Sequence, residues 1–452
     1  MSGNYMTGGY SFKNYFIIIF MAYLCVHACM YILFPNMIPA GWIVQMQMIF
    51  SVYAIFSFAL YNKINIASIL VLVFCGHMIL SAILRSYFEV EMGNPFGINP
   101  VDSYNYNQEA KETAQVSFLQ TGQFIEDNMG FGMDDWGMAF ISRLCYVIFD
   151  KQESALVCLS FFNTIAVTLS VLGIYKLGRF FFSREYAKYV MTLWAIFPFS
   201  VYLSVNFLKE NFFVLFIIYS FYYMYKFFYT KSIVSLLLMS LFISSTLFFR
   251  NIIFVMLILS VIVMLMMKTG MRNNIRIILV FSAIIGVMSL NLFLKYISGF
   301  GLDFFYEVAT YRGGDSVGAG SMYALSSVMS FFGPLPRIIG IPLRNEYLFG
   351  MINFFKIAIS LFYVYGLYRI VKKDVKEYYP MVCFLLSGVA MLIISNTSFD
   401  IRYQYTHLPF VYIISMYGFS NWKGVKYRWL INTCYLFLMA AMTYFYNLTD
   451  VA

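Results

Sequence analysis

Apolar runs long enough to cross a bilayer recur along most of this chain. The first, Tyr15 to Phe34, is about 20 residues with no Asp, Glu, Lys or Arg, the length a membrane-spanning helix needs. Only 11% of the 452 residues are charged, against about 25% in an average soluble domain, and 61% are hydrophobic. The composition therefore excludes an ordinary soluble enzyme and predicts an all-α polytopic membrane protein forming a single integral domain over 1–452.

Apolar windows predict about 13 spans, at 15–34, 43–60, 64–84, 154–177, 187–204, 211–229, 232–249, 251–267, 276–295, 350–371, 378–395, 407–420 and 429–447. No small-residue cleavage site follows the first run, so it is expected to remain as an uncleaved span. Two further apolar stretches are excluded. GMAFISRLCYVIF (137–149) is too short to cross and has Arg143 at its centre; the i+4 repeat of Phe140, Leu144 and Ile148 predicts an interfacial helix. YALSSVMSFFGPLPRIIGIPLR (323–344) is broken by Gly333, Pro334 and Pro336, which end a helix, and reads as re-entrant or interfacial.

Charge distribution supports this layout. With the N-terminus in the cytoplasm, 18 of the 30 Lys and Arg fall on the inner side with only three acids, Glu185, Asp374 and Glu377. Basic residues in short cytoplasmic loops are what membrane insertion favours. The same layout places the C-terminus outside and leaves two long loops there, 85–153 and 296–349. The polar mass thus lies on one face, which predicts work at the outer surface rather than transport through the bundle.

The seven cysteines lie mostly in apolar segments, where they pack rather than bridge. The three histidines, His27, His77 and His407, form no paired ligand motif, so no metal site is predicted.

Asp102, in NPVDSYNYNQEA (99–110), stands in the first outer loop ahead of NQEAKETAQ, which reads as a helix start. A carboxylate there can take a proton from an attacking hydroxyl, or it is simply a solvated loop acid. Asp134 and Asp135 are further acids in that loop. Tyr104 and Tyr106 can stack on sugar rings or anchor the loop at the interface. In VNFLKEN (205–211), Lys209 and Glu210 sit between two apolar runs, either as a functional charge pair or as an exposed turn. Arg250, Arg337, Arg344, Lys356 and Arg402 recur at outer span mouths, where cations can hold a phosphate or touch lipid headgroups; Lys356 can also snorkel.

Four segments carry a family likeness: DSYNYNQEA (102–110), FPFSVYLSVNFLKENFFVLFI (197–217), FFGPLPRIIG (331–340) and RYQYTHLPFVYIISMYG (402–418). In this order they resemble the bacterial membrane glycosyltransferases of the GT-C superfamily, related to dolichyl-phosphate-mannose-type mannosyltransferases. The resemblance implies transfer of a sugar, with inversion, from a polyprenyl-phosphate-linked donor to an acceptor hydroxyl outside the bacterial inner membrane, in surface polysaccharide or lipopolysaccharide synthesis. It places the catalytic aspartate on Asp102, a second acidic site on Asp134 or Asp135, and donor-phosphate binding on Lys209 and Arg402; Arg250, Arg337 and Arg344 join as donor-phosphate candidates from their place at the span mouths. Tyr104, Tyr106, Glu210 and His407 are candidates for substrate contact. One departure is that three predicted spans precede Asp102, where the family often has one; the parity, and so the side, is unchanged.

The implied partners are the lipid-linked sugar and the bilayer, with no nucleic acid. No cofactor is called for, although a divalent metal bridging phosphate and carboxylates is compatible with the acids. A repeat-unit polymerase for O-antigen or capsule, using a diphosphate-linked glycan, would draw on Arg312, Arg337, Arg344 and Arg402. A lipid-linked oligosaccharide flippase would need cations facing a cavity within the spans, where the sequence offers little besides Lys356.

Overall fold

A computed structural model describes residues 65–97, 100–129, 136–197, 199–206, 208–268, 319–335, 346–395 and 397–448. Every regular element among them is helical. The expected spans 15–34, 43–60 and 276–295 lie outside these residues, as do Asp134, Asp135, Arg312, Arg337 and Arg344.

The first described helix, α1 (Ile66–Met92), starts where the Asn65 side chain accepts from Ser68 N at 2.8 Å and stops at Gly93, whose φ of 67° suits a residue without Cβ. It extends two turns beyond the expected end of that span, because Leu84, Tyr87 and Phe88 are buried. Within it Arg85 Nη2 donates to the Leu156 and Val205 carbonyls and to Ser160 Oγ, at 3.0, 3.3 and 2.6 Å.

The segment that follows is itself largely helical: α2 (Pro100–Thr113), a 3-10 turn at Phe118–Gln120, α3 (Thr121–Met129) and α4 (Trp136–Ile148). Asp102 is not in a loop ahead of a helix, as expected, but in the first turn of α2. Proline at the first position needs no N–H partner, and an acid in that turn complements the helix dipole. The far end of α2 is tied to α4 by Arg143, which donates to the carbonyls of Thr113 (2.9 Å), the last residue of the helix, and of Val116 (2.7 Å), just beyond it. The 137–149 segment is therefore a helix, with Leu144 and Ile148 of its predicted apolar stripe exposed.

Next come α5 (Gln152–Gly178), α6 (Arg184–Ala195), α7 (Phe199–Val205), α8 (Glu210–Thr230), α9 (Ile233–Ser245) and α10 (Asn251–Lys268). The predicted span 187–204 is a pair of helices, α6 and α7, bent by 48°; the sequence has Pro198 between them, a residue that cannot continue a helical ladder. Helix α5 is central, packing on α1, α4, α6, α7 and α8.

The last elements are α11 (Ala319–Phe332), α12 (Glu346–Lys372), α13 (Tyr379–Ile394), the short α14 (Ile401–Gln404), α15 (Leu408–Trp422) and α16 (Arg428–Leu448). Helix α11 occupies the first part of the stretch expected to be interfacial and ends, as its residues predict, at Gly333 and the cis Gly333–Pro334 bond. Helices α12 and α15 approach closely because Gly366 and Gly418 face each other: a Cβ on Gly418 would lie 2.0 Å from the Phe362 carbonyl oxygen. Lys356 neither snorkels nor reaches a span mouth. It is buried, its Nζ donating to Ser330 O at 2.9 Å and bonded to Gln404 Oε1, so it ties α12 to α11 and α14.

Four helices among the described residues are long and apolar enough to cross a membrane: Ile66–Val90, Gln152–Gly178, Glu210–Thr230 and Lys376–Ile394. The bent α6–α7 pair makes a fifth.

Candidate active site

Three charged side chains from distant parts of the chain converge. Arg402 Nη1 donates to Asp102 Oδ2 at 2.5 Å and Arg402 Nε donates to Glu210 Oε1 at 2.5 Å. Each partner is placed by a helix terminus. Asp102 lies in the first turn of α2, and Glu210 opens α8 with Lys209 as its N-cap. Arg402 is held in α14, whose N-cap Asp400 accepts from Arg402 N at 2.8 Å. Because these ends meet, the starts of α2 and α8 and the α13–α15 connection lie on one side of the bundle, as the charge-based layout requires.

The exposures differ in a way that assigns different tasks. The Glu210 side chain is 2% exposed, Arg402 17% and Asp102 48%. Glu210 is therefore an internal counter-ion, whereas Asp102 is open to an incoming molecule. Asp102 Oδ2 is held by the guanidinium and Oδ1 has no protein partner among the described residues. Arg402 spends two N–H groups on the carboxylates; a guanidinium has five, so donors remain for an anion. Burial opposes its charge, but Glu210 and Asp102 outweigh that and hold its pKa well above the ordinary arginine value.

A buried polar layer supports the cluster from below. Tyr405 donates to Asn211 Oδ1 at 2.9 Å, and Asn211 Nδ2 donates to Asn163 Oδ1 (3.2 Å), Ser200 O (3.3 Å) and Ser204 Oγ (3.3 Å). The Tyr405 ring lies against Trp194 at 5.0 Å and Phe197 at 6.0 Å. Glu210, Asn211 and Arg402 thus sit on a floor whose rotamers are locked by aromatic packing and hydrogen bonds. Sequence reasoning missed Asn211, Asn163 and Tyr405; the available signal was an asparagine inside each of two otherwise apolar runs.

Of the other predicted residues, Arg250 is brought near. Its guanidinium lies 5.6 Å from the Tyr403 ring centroid and 6.0 Å from that of Phe213. Lys209 is buried beside Glu210 rather than forming an exposed turn. Tyr104 is half-exposed on the same helix as Asp102 and packs edge-on against Phe96, while Tyr106 is buried. His407 faces away from the cluster, toward α13. Its Nδ1 is 2.8 Å from Thr406 Oγ1, and its ring fills the space a Gly388 side chain would need. No group of metal-ligating side chains is found among the described residues.

Comparison with known proteins adds a family likeness. Residues 136–294 match the family described as dolichyl-phosphate-mannose-protein mannosyltransferase. The matched stretch, about a third of the chain, covers α4 to α10. It includes Lys209, Glu210 and Arg250 but neither Asp102 nor Arg402. No curated protein matches the chain. The match contains one of the four segments quoted above, 197–217, and leaves the other three outside it.

Proposed function

We propose that this protein is a membrane glycosyltransferase that moves a sugar from a polyprenyl-phosphate-linked donor to an acceptor hydroxyl on the outer face of the membrane. The observation that carries this is Arg402 bridging Asp102 and Glu210, taken with the mannosyltransferase likeness of the segment that holds Glu210. The full layout of about 13 spans with the N-terminus inside belongs to the same proposal and is supported by the asymmetry of basic residues.

The chemistry follows from the cluster. The acceptor hydroxyl approaches the half-exposed Asp102, which takes its proton as the oxygen attacks the anomeric carbon. The bond between that carbon and the phosphate oxygen breaks, and the electron pair leaves with the polyprenyl phosphate. Attack opposite the leaving group inverts the anomeric centre. The phosphate's growing charge is met by the N–H groups of Arg402 not engaged by carboxylates, with Arg250 and Lys209 as further cations. Glu210 keeps Arg402 aimed without competing for the acceptor, because it is buried. Asp134 and Asp135 are proposed as a second acidic site, and Arg337 and Arg344 as further cations at the donor phosphate. Tyr104 is proposed to contact the sugar or acceptor.

The test is transfer from a radiolabelled polyprenyl-phosphate sugar in membranes containing Asp102→Asn. Loss of a general base lowers the rate by about 10²- to 10⁴-fold. Wild-type-like transfer by Asp102→Asn refutes the assignment. Product length separates a single transfer from polymerisation of repeat units, and movement of labelled lipid between leaflets without transfer would mark a flippase.

A further inference from the structure

Helix α15 begins beside the Asp102–Arg402–Glu210 cluster and ends at Trp422, about 22 Å away at 1.5 Å per residue. At that far end is a second site that the proposed transfer does not use. A pocket open to its surroundings on one side lies between α12, the end of α15 and the start of α16. Its walls include Phe362, Trp422 and Trp429, and its polar groups come from Lys423, Arg428 and Asn432.

Two buried polar atoms of residues lining this pocket lack partners among the described residues. The Trp422 ring is fixed edge-on between Phe362 (5.5 Å, 85°) and Tyr365 (4.8 Å, 84°), and the residue is 7% exposed. Its Nε1–H nevertheless finds no acceptor among the described residues, and Asn432 Oδ1 finds no donor. A buried indole N–H ordinarily has a partner. On the rim, Arg428 Nη1 donates to the Lys423 carbonyl at 3.3 Å, which closes the 423–428 turn and brings both cations to one lip. The outer wall is α16, where Trp429, Leu430, Phe437 and Leu438 are exposed.

We propose that this pocket binds the headgroup of an anionic glycerophospholipid of the phosphatidylglycerol type. The phosphodiester accepts from Lys423, Arg428 and Trp422 Nε1, a headgroup hydroxyl donates to Asn432 Oδ1, and the acyl chains run along the apolar face of α16. The pattern selects among lipids. A choline headgroup has no hydrogen to give Asn432, and any ammonium headgroup sets a cation against Lys423 and Arg428. A free phosphate would leave the aromatic wall and the exposed face of α16 unused.

The experiment is native mass spectrometry of the delipidated full chain, incubated with phosphatidylglycerol or with phosphatidylcholine of the same chains. Phosphatidylglycerol adducts are expected to dominate in the wild type and to fall by about tenfold or more in Lys423→Gln/Arg428→Gln. Trp422→Phe, which keeps the ring and removes the N–H, is expected to lower them severalfold. Lys423→Arg/Arg428→Lys keeps both charges and is expected to retain the lipid. Equal retention of the two lipids overturns the proposal. So do unchanged adducts in the Gln variant, equal loss in the charge-conserving variant, or displacement of the lipid by inorganic phosphate at matched concentration.

Discussion

Arg402 and Glu210, 192 positions apart in the chain, meet at 2.5 Å with the glutamate side chain almost wholly buried. The pair binds the α13–α15 connection to the start of α8, and Asp102 joins it from α2. A buried carboxylate beside a guanidinium is costly to leave alone, and several consequences of that can be measured.

Arg402→Gln should destabilise the protein strongly, by about 3–5 kcal/mol, because Glu210 would remain buried without a cation. Glu210→Gln in the same chain removes the stranded charge, so the double variant should recover part of the loss. Thermal unfolding in detergent of the two single variants and the double measures this coupling. Strictly additive losses would mean that the two residues do not interact.

The stability Arg402 contributes should not depend on pH in the neutral and alkaline range. Its pKa in the folded protein is raised above the unfolded value. The contribution is therefore fully present below the unfolded arginine value, far above neutral pH, and is lost only as pH rises through the still higher folded value. The gap in unfolding temperature between wild type and the Arg402→Gln/Glu210→Gln double variant, which leaves no stranded buried carboxylate, should stay constant from about pH 7 to pH 10. A gap that closes toward pH 10 would show that the guanidinium is not the group responsible.

Gly418→Ala should destabilise by about 1–3 kcal/mol or more, since the added methyl meets backbone rather than a movable side chain. The clash is with the Phe362 carbonyl oxygen, at 2.0 Å, and the Gly366 nitrogen, at 2.9 Å. Gly424→Ala is the matched control. Its Cβ would approach nothing nearer than 3.9 Å, and its effect should be within about 0.5 kcal/mol. Equal unfolding temperatures for the two variants would place the α12–α15 contact elsewhere.

A large part of the fold was legible from local pattern. Every predicted span that falls among the described residues is occupied by helix, from α1 to α16, because a backbone in lipid must satisfy its hydrogen bonds within the segment. Local pattern also located the break at Gly333–Pro334 after α11, but it passed over the one between α6 and α7, where 187–204 was expected as a single span. It erred where tertiary burial extends or recruits a helix, as at the two extra turns of α1 and at Pro100, where α2 begins ahead of Asp102 rather than after it.

The sequence by itself determined an all-helical membrane chain, and it singled out Asp102, Glu210 and Arg402 one at a time. Only the tertiary structure decided that these three meet. It also decided that Lys356 is spent on Ser330 and Gln404 inside the bundle, and that His407 packs against Gly388. The physical reason is range. Hydropathy and capping act within a few helical turns and can be read from neighbouring residues. An ion pair joining positions 102, 210 and 402 exists only once helices pack closely enough, as at Gly418, to bring their ends together.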